Sequence, residues 1–200
     1  MKLCLTQCLL LITLTVACRN VEESRSPAGA TPVPELSRST DTSVTTTGST
    51  GGTVSALSPS DKEFVMTSAQ DNFADVQFGL LAGQKAVNAD VKDFARRLVQ
   101  DHGKTMNTMR QLVTNKGLVL PSEAANEHIN IARDLAGKSG AEFDRAFMAQ
   151  MVADHEKAIS RFDEASRTAS DADVKSFAAS TLPALQEHLR MAKEVQRKLK

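Results

Sequence analysis

Tryptophan and tyrosine are both missing from this 200-residue chain, and its three cysteines, Cys4, Cys8 and Cys18, are used up within the first 18 residues. Everything after Cys18 therefore lacks a thiol nucleophile, a redox pair and a disulfide, so a domain there must be held together by burial. Neither charge sign dominates. The chain has 24 basic and 24 acidic residues, and no basic patch carries aromatic residues suited to stacking on bases, which argues against nucleic acid as a partner. No glycine-rich loop follows a strand pattern, which removes the nucleotide fingerprints. Serine, histidine and aspartate are all present, yet nothing singles out one serine as a nucleophile. After residue 60 the only prolines are Pro121 and Pro183, while all eight phenylalanines fall there.

The chain opens with Lys2, runs through Leu9, Leu10, Leu11, Ile12, Leu14 and Val16, and reaches Ala17 and Cys18. An apolar run this short and one-sided predicts a secretory signal over residues 1–17, not a membrane-spanning helix. Thr15-Val16-Ala17-Cys18 resembles a bacterial lipobox, which makes Cys18 the expected lipidated first residue of the mature chain. An ordinary signal cut near Ala17 is the other reading. Arg19 stands where lipoproteins of the enteric type carry Asp for inner-membrane retention, so that resemblance points to the outer membrane. From Arg19 to Ser60, 17 of 42 residues are Ser or Thr, with Pro and Gly among them and almost nothing apolar to bury. Residues 18–60 are therefore expected to form a disordered tether with a span of roughly 35 Å. The expected setting is a bacterial cell envelope: the protein is exported, held to the outer membrane by its lipid anchor, and faces the periplasm.

Residues 61–200 read as one all-α domain, rich in Ala, Leu, Val, Met, Lys and Gln. Ser60-x-x-Glu63 predicts a capping box for a first long helix, whose apolar positions Val65, Ala69, Phe73, Val76, Leu80 and Val87 keep helical spacing. A second helix runs from near Asn88 through Val91, Phe94, Leu98, Met106 and Val113, and stops at Lys116-Gly117. Pro121 starts a shorter segment ending near Ala136. Ser139-x-x-Glu142 and Ser170-x-x-Asp173 predict the caps of two further long helices, the last bent at Pro183. Two hairpins joined by a long, partly helical crossover give a ferritin-like up-down four-helix bundle, with the second and third long helices parallel.

Three stretches carry a resemblance: Asp90-Val-Lys-Asp-Phe-Ala with Asp101-His102, Phe143-Asp144 with Met151-Val152-Ala153-Asp154-His155, and Leu182-Pro183-Ala184-Leu185 with His188-Leu189. In order and spacing they resemble the ferritin-like domain-of-unknown-function family 4142, often labelled predicted outer membrane protein, over roughly residues 61–197. The resemblance implies the bundle and carries little knowledge of function. The family usually has Glu where this chain has Asp75, and the shorter side chain weakens a ligand role there.

Aligned at an offset of 53 residues, Asp101-His102 falls on Asp154-His155 and Phe94 on Phe147. His102, His155 and His188 each stand three residues after an apolar one, at Val99, Val152 and Leu185, and so lie on core stripes; His128 does not. Distances from the turns bring Asp75 level with His102, and parallel helices bring His155 to a similar height at about 1.5 Å per residue. His188 falls about one turn away unless the Pro183 bend corrects it. Two readings follow. In one, the histidines are core groups hydrogen-bonded to carboxylates on neighbouring helices, and the domain is a non-catalytic binding or structural module of the envelope, stress-related in one version. In the other, Asp75, His102, His155 and His188 hold one divalent metal such as zinc, with Asp101 and Asp154 accepting the outer ring N–H groups. A divergent metal-dependent oxidoreductase is a third reading, weakened because no histidine has an acidic residue three positions before it. The membrane is the expected partner through the lipid anchor, and no protein partner is indicated.

Overall fold

A computed structural model describes residues 56–200; the expected signal, Cys18 and most of the tether lie outside the described residues. Five helices follow in order: α1 (Pro59–Lys85), α2 (Ala89–Val113), α3 (Asn126–Ala136), α4 (Gly140–Thr168) and α5 (Ala172–Lys198), with no strand among the described residues. None of these helices is long and apolar enough to cross a membrane.

Two of the expected helix caps are displaced, by one or two residues. Ser58, not Ser60, caps α1: its Oγ accepts from Asp61 N–H at 3.1 Å, with Pro59 preset at the first helical position. Asn88 caps α2 as expected, accepting from the N–H groups of Asp90 and Val91. Asp171, not Ser170, caps α5 in the same way, through Asp173 and Val174. The side chain of Ser139 makes no capping bond at α4, so the predicted box does not form there. α3 begins at Asn126, five residues beyond Pro121. α2 ends at Val113, three residues before the predicted stop at Lys116-Gly117, and the turn that follows carries Gly117 at φ 64° in the left-handed region. α5 is continuous through Pro183.

Two buried carboxylates fix how the hairpins meet. Asp61, at the start of α1, accepts from the backbone N–H groups of Ser170 and Asp171 at the α4–α5 turn. Asp144, at the start of α4, accepts from Val87 and Asn88 at the α1–α2 turn, at 3.2 and 2.9 Å. α1 and α4 therefore run antiparallel. Lys198 reaches Asp90 and Lys116 reaches Asp171, so α2 and α5 are antiparallel too, and α2 and α4 point the same way.

These pairings expose a repeat that the 53-residue offset missed. Shifted by 83 residues, Ala89-Asp-Val-Lys-Asp-Phe-Ala95 falls on Ala172-Asp-Val-Lys-Ser-Phe-Ala178, and Asp61 falls on Asp144. The first hairpin is thus repeated as the second, whereas the offset of 53 matched the second helix of one hairpin to the first helix of the other.

The core is split across its middle. One apolar cluster gathers Phe78, Phe94, Leu98, Phe143, Phe147 and Met151 near the α1–α2 turn. The other gathers Phe64, Val65, Met109, Phe162 and Phe177 near the α4–α5 turn. Between them lies a polar layer of Asn72 and Asp75 on α1, His102 on α2, His155 on α4 and His188 on α5, all buried.

The apolar stripe expected for α1 is correct in its first half and wrong in its second. Leu80 and Val87 are exposed, and the buried face continues through Phe78, Gly79, Ala82 and Ala86. At Gly79 the α2 helix fills the space beside α1. A Cβ on Gly79 would lie 2.6 Å from Val99 Cγ2 and 3.1 Å from the Ala95 carbonyl oxygen. Val99 is stiff at χ1 and the carbonyl belongs to the α2 backbone, so neither yields cheaply. Gly79→Ala should destabilise the domain by about 1–3 kcal/mol through overpacking, despite the gain in helix propensity. Gly83, whose Cβ would meet nothing within 4 Å, provides the control: Gly83→Ala should stabilise by about 1 kcal/mol. Denaturant midpoints of the two variants check the opposite signs.

Candidate metal centre

Each histidine of the central layer reaches it from a different helix. The ring centroids of His102 and His155 are 5.7 Å apart, those of His102 and His188 5.3 Å, and those of His155 and His188 5.4 Å. One ligand atom from each lies within 4.8 Å of the other two. His188 is therefore a full member of the group, without the one-turn displacement that counting along the helices suggested.

The hydrogen bonds settle which nitrogen of each ring carries the proton. Asn72 Nδ2 donates to the His102 carbonyl at 2.9 Å, which turns Asn72 Oδ1 toward the ring to accept from His102 Nδ1–H at 3.0 Å. His155 Nδ1–H donates to the Met151 carbonyl, one turn back on its own helix, at 2.9 Å. His188 Nε2–H donates to Asp101 Oδ2 at 3.2 Å. The other nitrogen of each ring, Nε2 of His102 and His155 and Nδ1 of His188, is buried without a hydrogen bond. A neutral imidazole that donates through one nitrogen presents a lone pair at the other.

The expected carboxylates are arranged differently. Asp75 lies outside the triangle, its Oδ2 3.6 Å from His102 Nδ1, the nitrogen already engaged by Asn72. Asp101 accepts from a ring N–H, that of His188 across the bundle. Asp154 accepts from the Gln150 side chain and touches no histidine of the triangle. Asn72 was missed. Its signal lay in the 83-residue repeat, which sets Asn72 against His155.

Burial keeps all three rings neutral. His102 is held well below its ordinary range by burial first and then by the prospect of charge on His155 and His188. His155 is pushed down to about 4, again chiefly by burial. Burial also lowers His188, with Asp101 pulling the other way. Burial would raise Asp101, but hydrogen bonds from Arg97, His188 and Lys104 outweigh it and hold the carboxylate far below its usual range. Asp75 is raised by burial and then by the charges of Asp154 and Asp71.

These shifts set a pH dependence. Between the ordinary histidine value of 6.5 and about 4, the unfolded chain takes up a proton at His155 that the folded chain refuses, so stability falls as pH falls through that window. Asp75 acts in the opposite sense, because its folded carboxyl protonates earlier than the unfolded one. In metal-free buffer, acidification from pH 7 to 4.5 should cost about 2 kcal/mol through His155 alone. His155→Gln should show a correspondingly shallower loss in denaturant titrations at the two pH values.

The fold recurs in solved structures. The crystal structure of a DUF305 fragment from Deinococcus radiodurans matches with a TM-score of 0.64 at 14% identity, covering 72% of this chain and 99% of that one. The structure of CopM in the Cu(II)-bound form matches with a TM-score of 0.60 at 17% identity, covering 70% of this chain and 97% of that one. At these identities the likeness is one of fold, an all-helical bundle. No curated protein matches the chain. A family match spans residues 47–195, three quarters of the sequence, and by it the chain belongs to the family described as Domain of unknown function (DUF4142).

Proposed function

We propose that this domain binds one divalent metal ion between His102, His155 and His188, and that it works in the bacterial cell envelope, tethered through lipid on Cys18. One observation carries the metal reading: three buried imidazoles each commit one nitrogen to the protein and keep the other without a hydrogen bond, in a group whose ligand atoms lie within 4.8 Å of one another. A purely structural network explains the committed nitrogens and leaves three buried acceptors unpaired, at about 1–3 kcal/mol each. A metal ion explains both sets. The outer hydrogen bonds to Asn72, the Met151 carbonyl and Asp101 are the kind that orient metal-bound imidazoles and fix their tautomers.

Donor chemistry narrows the ion. Magnesium and calcium take oxygen ligands, whereas an all-imidazole set suits zinc or copper. Zinc–nitrogen bonds of about 2.0–2.1 Å in a tetrahedron would bring the nitrogens to about 3.3 Å from one another. Three protein ligands leave a fourth position for water or another small ligand. That a bundle of similar fold has been seen with Cu(II) bound makes copper the first ion to try beside zinc. The anchor rests on the sequence: the apolar run ending in Thr15-Val16-Ala17-Cys18 and the Ser/Thr-rich stretch after it.

Metal analysis by mass spectrometry on the full-length chain, purified without a histidine tag, should find about one ion per chain. Thermal melts should move up with added Cu(II) or Zn(II) and down with EDTA; free ion at 100 times Kd adds about 2.7 kcal/mol. His102→Ala should lose the bound ion. No ion bound, and no shift with any ion tried, would end the metal reading.

The anchor has its own test. Growth with a labelled fatty acid should mark the chain in the membrane fraction, and Cys18→Ser should abolish the label. Label persisting in that variant would place the anchor elsewhere.

A further inference from the structure

Resting on the metal reading above, we propose that the ion reaches the three histidines through an acidic cavity between α1, α3 and α4, passing Asp154 and then Asp75. That cavity holds about 170 Å³ and is walled by Asp71, Asp75, Glu127, His128 and Asp154, with Lys157 and Arg161 as its cations. A smaller cavity of about 30 Å³ lies against His102 and His188. Asp71, Asp75, Ala158 and Arg161 line both, so the two spaces share a wall.

Asp75 is the group that joins them. Its side chain is only 9% exposed, makes no hydrogen bond among the described residues, and stands 3.6 Å from His102 Nδ1 while lining the outer cavity. A carboxyl group that faces a cavity and takes no hydrogen bond from the protein is open to a passing cation. On the same path the Nδ1 of His128 is buried without a hydrogen bond, and its Nε2 lies 3.5 Å from Asp71 Oδ1. Arg161, paired with Asp71, places a positive charge on the shared wall, where it opposes a cation's passage.

The approach from the α2–α5 side has the wrong electrostatics. There the inner cavity is bounded by Asp101, Thr105, Thr181 and Ala184, and the one carboxylate, Asp101, is already paired with Arg97, Lys104 and His188. The exposed side chains of Arg97 and Lys104 would repel an incoming cation.

A residue on a route changes how fast the ion binds and leaves without changing how tightly it is held, which separates this role from ligation. Stopped-flow mixing of the full-length chain with Cu(II) and with Zn(II), each supplied as a weakly chelated salt, measures both rates. Asp154→Asn should slow association about three- to tenfold and slow dissociation by a similar factor, leaving Kd within about twofold. Arg161→Met should speed both, and the differences should shrink at high salt. Circular dichroism of each variant confirms the fold. Unchanged rates in both variants, with the ion still bound, would overturn the route and leave the metal reading standing. Weaker binding by Asp154→Asn with unaltered association would make that carboxylate a ligand and overturn the route as well. A wild-type chain that binds neither ion would overturn both readings.

Discussion

A layer of three imidazoles, one amide and one carboxyl group is buried across the middle of a bundle that is otherwise apolar, and the rest of the domain is organised around it. Burial opposes charge on each of these groups: the histidines are driven below their usual protonation range and Asp75 above its own. Neutral imidazole is also the form that binds metal, since a proton on the ring competes directly with the ion. The desolvation that would make the layer a liability in a structural core also keeps the imidazoles in the form that the proposed coordination needs.

The apolar halves on either side hold that layer in register. Each hairpin turn is fastened by a buried carboxylate from the other hairpin, Asp144 on Val87 and Asn88, and Asp61 on Ser170 and Asp171. With both ends pinned, the relative height of the four long helices is set over their full length, which is what lets side chains from three helices meet within a few ångströms. Close packing adds to this. Gly79 brings α1 against the Ala95–Val99 stretch of α2, and Asn72, about two turns earlier on α1, then meets both the carbonyl and the ring of His102.

Much of the arrangement was legible in the sequence, for identifiable reasons. Helical periodicity placed the four long helices, and the three-residue spacing of His102, His155 and His188 behind Val99, Val152 and Leu185 put them on core stripes, because both depend on one period that sequence carries directly. The buried stripe at the end of α1 was not legible, because there it is written in glycine and alanine, which hydrophobicity counts weakly, while Leu80 and Val87 point outward. Hydrogen-bond partners were the least legible of all. The sequence offers Asp101 as an acceptor for a ring N–H without saying which ring; adjacent residues on a helix point about 100° apart, so Asp101 serves His188 on the facing helix and Asn72 serves His102.

The repeat at 83 residues also bears on where function resides. Toward the helix ends it preserves side chains: Asp61 and Asp144, Phe64 and Phe147, Val91 and Val174, Phe94 and Phe177. At the centre it breaks: His155 corresponds to Asn72, Asp75 to Ala158, His102 to Leu185, and His188 to Thr105. Two copies of one packing solution would gain nothing from replacing Leu185 by His102, or Ala158 by Asp75, since apolar groups at those positions serve a core better than polar groups that must be paired. Departures from the consistent solution concentrate where something other than stability is being selected. Here they produce three histidines where strict symmetry would produce an even number, and they place one unpaired carboxyl group beside the histidines on one side only. That combination suits a single ion approached from a single direction.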